Sequence, residues 1–197
     1  MISLKSFAGY SGFILMILGV ILALFFANPF WYSFFVIGGT LFFGYLNYKI
    51  NNKSIFNIFE KSKQRFIYIW VSYIILAFII EIVGRFLLNL WYYPHYSLFE
   101  ELVNVYLIGY PFALFMLYET FILINYKIKS LGLIITITTL VSAFIHEFPN
   151  TFVYEWAYTI PYVTFEILRI NIVVIVGWVI LVLASFIIQG KFIIDKK

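Results

Sequence analysis

Residues 170–189 read INIVVIVGWVILVLASFIIQ, a run without one charged side chain. A helix needs about 20 largely apolar residues to cross about 30 Å of hydrocarbon, and this run meets that requirement unaided. Working outward from it, five further stretches meet or approach the same length: Phe7–Ala27, Phe30–Tyr48, Phe66–Trp91, Asn104–Tyr126 and Leu131–Ile145. None alternates apolar and polar residues as a strand of a transmembrane barrel would. The expected fold class is all-α, a polytopic membrane bundle of six transmembrane helices. Asn28-Pro29 parts the first two runs, because proline cannot continue a helix interior. The first run is too long for the apolar core of a cleaved leader, and no small-residue cleavage site follows it, so it reads as a retained helix.

Composition points the same way. The chain has 197 residues, 64% of them hydrophobic and 11% charged, with a mean hydropathy of +1.00. Soluble domains are about 45–50% apolar and about 25% charged, so a water-soluble globule, a disordered tail and a nucleic-acid module are all excluded. The absence of cysteine excludes disulfides, thiolate metal sites and cysteine nucleophiles.

Charge placement sets the expected orientation. With six spans, Lys5, Lys49, Lys53, Lys61, Lys63, Arg65, Lys127, Lys129, Lys191, Lys196 and Lys197 share one side, which is 11 of the 13 basic residues. The positive-inside rule puts that side, and both termini, in the cytoplasm. Residues 1–197 then form a single integral membrane domain in the cell membrane. Residues 1–48 are a scaffold hairpin, 49–65 a basic cytoplasmic loop, 66–126 a first repeat, and 127–197 a second repeat with the tail. In the basic loop, Ile55, Phe56, Ile58 and Phe59 lie among the lysines. They fit either a short helix in the inner interface or an ordinary basic loop. The outer segments are rich in aromatics, among them Tyr92, Tyr93, Trp156, Tyr158 and Tyr162. Such residues form an interfacial belt, or they cover an outer cavity.

The two repeats are read from residue correspondences about 66 positions apart. Ala77-Phe78-Ile79-Ile80-Glu81 matches Ala143-Phe144-Ile145-His146-Glu147, and Trp91-Tyr92-Tyr93 matches Trp156-Ala157-Tyr158. Phe99-Glu100 matches Phe165-Glu166, and Ile108-Gly109-Tyr110 meets Val176-Gly177-Trp178 after a small gap. Each unit is a span, a glutamate, an aromatic linker, a second glutamate and a return span. Parallel repeats of this kind are related by an axis along the membrane normal, which would gather Glu81 with Glu147 and Glu100 with Glu166.

Ionisable residues inside spans are costly and normally face protein or water. Glu81 and Arg85, four apart, share a helix face and can pair; Glu166 and Arg169 offer a second local pair. Glu119 has no evident local partner. The candidate catalytic residues are Glu81 and Glu147. The candidate binding residues are Arg85, Trp91, His95, Glu100, Glu119, His146, Trp156 and Glu166. Two histidines without a zincin-type spacing argue against a metal site, and no motif calls for a cofactor.

The second repeat resembles membrane carotenoid hydratases of the bisanhydrobacterioruberin and gamma-carotene type. They carry a glutamate, an aromatic pair, and an apolar span reaching a tryptophan. Here Glu147, Trp156, Tyr158 and the run Asn171–Trp178 follow a similar spacing over about 40 residues. Asn171 stands where that family has proline, and most of its glycines are absent. The resemblance implies protonation of an isoprenoid double bond by an acid, with aromatic faces and carboxylates stabilising the resulting cation; Glu81, Glu147, Trp91 and Trp156 would serve. Intramembrane lipid or isoprenoid binding or modification is the leading expectation, with the bilayer and such a ligand as partners. A small-solute or proton-coupled transporter and a non-enzymatic membrane partner protein are the alternatives.

Overall fold

A computed structural model describes residues 3–161 and 163–193; Tyr162, Lys196 and Lys197, and the side chain of Lys191, lie outside the described residues. The described chain is helical almost throughout. Five helices, Leu4–Phe26, Lys63–Leu87, Leu98–Lys127, Leu131–Val153 and Ile172–Gly190, are long and apolar enough to cross a membrane.

Helices α1 (Leu4–Phe26) and α2 (Trp31–Asn51) form the first hairpin. Ala27 adopts a left-handed conformation, and the Asn28 side chain accepts a hydrogen bond from the Phe30 amide at 2.9 Å. Gly12 and Gly19 let the two backbones touch: a Cβ on either would stand 2.8 Å from the carbonyl oxygen of Gly38 or Trp31 respectively. Elsewhere α1 leaves Phe7, Ile14 and Phe25 exposed, as a lipid-facing helix does. Helix α2 spans 21 residues, but its glycines, Thr40 and Asn47 make it less apolar than the other five. Thr40 and Asn47 are both fully buried and bond to the carbonyls of Phe112 and Glu119.

The basic loop is helical at its centre. Helix α3 (Ile55–Lys61) buries Ile55 and Ile58 and leaves Phe59 and its lysine outward. Helix α4 (Lys63–Ile80) follows and continues without a break into a π-helical stretch, Glu81–Leu87. This span therefore ends at Leu87, not Trp91; Trp91–Tyr92 form a short strand, β1. The return span also starts earlier than expected. Helix α5 (Leu98–Glu101) runs through a second π-helical stretch, Leu102–Gly109, into α6 (Tyr110–Lys127). Ser97 opens it with a capping box, exchanging hydrogen bonds with Glu100.

Helix α6 is central: Leu114, Phe115, Met116 and Leu117, four consecutive residues, are all buried. Helix α7 (Leu131–Val153) carries Pro149 in its last turns and ends well beyond the expected Ile145. After it come strands β2 (Ala157–Tyr158), β3 (Glu166–Ile167) and β4 (Ile170–Asn171), then α8 (Ile172–Ile193). Asn171 caps α8, its side-chain oxygen accepting the Val173 amide at 2.9 Å.

Candidate functional site

Two glutamates sit near the ends of α4 and α7, and the chain leaving each helix turns back to hold it. Glu81 is fully buried. Its Oε1 accepts hydrogen bonds from Trp91 Nε1 at 3.1 Å, Tyr93 Oη at 2.7 Å and Tyr110 Oη at 2.9 Å. Glu147 is buried as well: Oε2 accepts from Trp156 Nε1 at 3.0 Å, and Oε1 accepts from Tyr158 Oη at 2.8 Å and Trp178 Nε1 at 2.9 Å. Strands β1 and β2 pair antiparallel between the two cages, Trp91 opposite Tyr158 and Tyr92 opposite Ala157.

Local sequence explains how each tryptophan reaches its glutamate. Gly84 follows Glu81 by three positions, and a Cβ there would lie inside the Trp91 ring. Asn150 follows Glu147 by three positions. It donates to the Trp156 carbonyl at 2.8 Å and accepts from the Trp156 amide at 3.3 Å, after Tyr154 has turned the chain through a left-handed conformation. The indole N–H has no acceptor function, so each cage presents donors and uses its glutamate as the acceptor.

The cages differ in surroundings. Arg85 Nη1 stands 3.8 Å from Glu81 Oε2, but its close partner is Glu101, and its guanidinium lies 5.0 Å from the Tyr93 ring centroid. The expected Glu81–Arg85 pair is thus a shared arrangement in which Glu101 takes the shorter contact. No basic side chain pairs with Glu147 among the described residues. His146 instead faces α2: its Nδ1 is 2.7 Å from Tyr32 Oη, and its ring packs on Trp178 with centroids 4.7 Å apart.

A cavity of 610 Å³ opens beside the Glu147 cage. Its long wall is apolar, built from α4, α6 and α8, with Leu76, Leu114 and Leu181 representative. Glu147 and Glu155 are the carboxylates on its lining; Glu81 is sealed behind its own aromatic cage. Helices α4 and α8 are locked together farther along, where Gln189 Nε2 donates to Tyr73 Oη at 2.9 Å and that hydroxyl donates to the Ser185 carbonyl at 3.3 Å. Ile79, Val83, Val176 and Ile180 line the cavity and are also 46–64% exposed, so it is open where α4, with its π-helical extension, faces α8.

The remaining candidates lie elsewhere. His95 and Glu166 are exposed. Glu100 belongs to the Ser97 capping box. Arg169 sits 5.9 Å from the Phe152 ring centroid rather than in an ion pair with Glu166. Glu119 is at the far end of the bundle. Its oxygens accept from Asn47 Nδ2 at 2.6 Å and from the Ile55 amide at 2.6 Å, so it caps α3 and ties that helix to α2 and α6. Reading from residue types overlooked Glu101, Glu155, Tyr93, Tyr110, Tyr158 and Trp178. The last four stand at corresponding positions of the two similar stretches and were legible there. Among the described residues, no three His, Asp or Glu side chains gather as a metal site.

Comparison with protein-family models, curated proteins and solved structures finds no match to this chain.

Proposed function

We propose that this chain crosses the cell membrane six times with both termini in the cytoplasm, and holds an isoprenoid or lipid in the cavity between its two glutamate-bearing hairpins. The observation that carries this reading is the apolar cavity itself, open where α4 faces α8 and bearing a caged carboxylate on its wall. Apolar ligands enter intramembrane sites from the bilayer, and a lateral gap is the route they need. A hydrated path with polar groups at both ends would favour a transporter instead. The cavity lining is overwhelmingly aliphatic and aromatic, and the carboxylate at the far end, Glu119, is committed to capping α3.

The hairpins read as a duplication. Glu81, Trp91, Tyr93 and Tyr110 correspond to Glu147, Trp156, Tyr158 and Trp178. An antiparallel strand pair centred on Tyr92 and Ala157 has the two-fold symmetry that such a duplication requires. Within it Glu81 is the structural member and Glu147 the working one. Indole and phenol hydrogens surround Glu147 and hold its carboxyl group against a pocket with aromatic walls. That suits stabilisation of positive charge on a bound isoprenoid, the step implied by the resemblance to carotenoid hydratases.

The test is native mass spectrometry of the protein gently extracted from its source membrane. A specific isoprenoid or lipid should co-purify with the wild type and with Glu81→Gln, and be depleted in Glu147→Gln. Bulk lipid alone, unchanged in both variants, would overturn the reading. Topology is separately accessible because the chain lacks cysteine. A cysteine at His95 should label with an impermeant maleimide on intact cells, and one at Lys129 only after permeabilisation.

A further inference from the structure

Gly84, Gly109 and Gly177 line the cavity, and two of the three are explained by the protein itself. A Cβ on Gly84 would strike the Trp91 ring, and one on Gly109 would stand 2.6 Å from the Asn104 carbonyl oxygen, within the second π-helical stretch. Gly177 has no such neighbour. Leaving aside its chain neighbours and its own helix backbone, no heavy atom among the described residues lies within 4 Å of where its Cβ would be. It stands inside α8, where glycine is among the poorest helix formers, and its φ is not positive. Neither a turn nor a packed neighbour calls for glycine here.

The helix fixes the direction in which Gly177 is bare. Residues three and four apart share a face, and Val173, Val174, Ile180 and Leu181 all line the cavity. Gly177 is the centre of that stripe, so its missing side chain is a notch in an aliphatic wall. The next residue, Trp178, donates to Glu147, which sets the notch beside the caged carboxylate. We propose that the notch at Gly177 receives a methyl branch, so that the cavity selects a methyl-branched, isoprenoid hydrocarbon chain over a straight acyl chain. The inference rests on the cavity being a ligand site, and it decides between the two ligand classes named for it. A straight chain crosses the notch and leaves it empty, whereas a branch fills it and takes one more methyl group out of contact with its surroundings. Gly177 is then a specificity-determining residue, kept at a cost in helix stability.

The full chain in detergent is equilibrated with an equimolar mixture of phytane and eicosane, the branched and straight forms of one hydrocarbon formula. Hydrocarbon retained by the protein beyond an empty-micelle control is measured by gas chromatography. Phytane should be retained about fourfold over eicosane, the equivalent of about 0.8 kcal/mol for one buried methyl group. Gly177→Ala puts its own methyl group in the notch. It should bring the ratio to about one by loss of phytane alone, and raise the melting temperature by about 2 °C. Gly177→Leu should deplete both hydrocarbons. Gly132→Ala is the control: a Cβ there also meets nothing, but Gly132 is not on the cavity lining, and the preference should persist. Equal retention of the two by the wild type, or a preference that survives Gly177→Ala, would overturn the notch assignment and leave the cavity reading intact. A lower melting temperature in Gly177→Ala would overturn it too, since the space would then belong to the protein's own side chains. Retention of neither hydrocarbon would overturn the ligand site itself.

Discussion

The hairpin around Glu81 and the hairpin around Glu147 solve one problem twice, with different residues. Each must keep a carboxyl group in an apolar interior, and each surrounds it with a tryptophan, a tyrosine two positions later and an aromatic donor from the returning helix. In the first, a glycine opens room for the indole; in the second, an asparagine holds the indole's backbone. The first adds Arg85 and Glu101 and keeps its carboxylate off the cavity lining, although its aromatic donors stand on it. The second adds no cation and places Glu147 itself on that lining. Under the proposed duplication, the shared residues are the scaffold and the differences single out the hairpin proposed to face a ligand.

The sharpest way to break that comparison is to remove each acceptor. Glu147→Leu leaves three buried donors unpaired, and at about 1–3 kcal/mol each it should cost about 3 kcal/mol or more. Glu81→Leu should cost a similar amount, since Trp91, Tyr93 and Tyr110 lose the same acceptor. Thermal melts in detergent measure both. Ligand retention, assayed below the melting temperature, should fall only in the Glu147 variant. Equal loss in both variants would make the two cages functionally alike and remove the distinction.

A smaller effect probes how the tryptophans are placed. Gly84→Ala sets a methyl group against the Trp91 ring, and overpacking of this kind costs about 1–3 kcal/mol. Asn150→Ala leaves the Trp156 amide and carbonyl without the partners Asn150 supplies, with a cost in the same range. Tryptophan emission should shift to the red in each, as one indole leaves its buried carboxylate. If Gly84→Ala is neutral, Trp91 has slack that the Glu81 cage does not need.

How much of this could be read from residues alone depended on the kind of signal. The helices were legible because hydrocarbon thickness imposes a length on apolar runs. Their ends were not: Trp91 is apolar whether or not it remains helical, and α7 continues through Pro149 and the polar Asn150 and Thr151 to Val153, where neither proline nor hydropathy would extend it. The hairpin of β3 and β4 was invisible for a specific reason. Its turn places Leu168 and Arg169 at φ of 52° and 66°, where Asn-Gly is the usual signal. The matched positions Glu81 and Glu147 were found because the residues around them correspond at a spacing of about 66. Glu155 was missed because it has no counterpart, and a lone glutamate in an aromatic linker carries no pattern.

Glu155 also separates the two hairpins by pH. Its carboxyl group holds its proton in the folded protein to a higher pH than an exposed glutamate does. Between the two pKa values the unfolded chain binds fewer protons than the folded one, so stability falls as pH rises, by up to about 1.4 kcal/mol per unit. The loss begins above the unfolded pKa of about 4.3 and ends once pH passes the folded value. Melting temperatures measured from pH 5 to 8 should fall with a slope that Glu155→Gln reduces. A variant with the wild-type slope would show that Glu155 is already ionised across this range.

The smallest expected effect tests the limit of the repeat. Glu100 and Glu166 align as well as Glu81 and Glu147 do, and alignment alone would assign them one role. Their local structures have diverged. Glu100 Oε2 accepts from the Ser97 amide at 2.9 Å and its hydroxyl at 2.7 Å, closing the start of α5. Glu166 is an exposed residue in β3, opposite Asn171. Glu100→Ala should therefore cost about 0.5–1 kcal/mol through the lost cap. Glu166→Ala should stay within about 0.5 kcal/mol of wild type. Neither should alter ligand binding, because neither borders the cavity. A loss of binding in Glu166→Ala would mean that the second glutamates also converge on the site, and the two hairpins would have to be read as contributing equally.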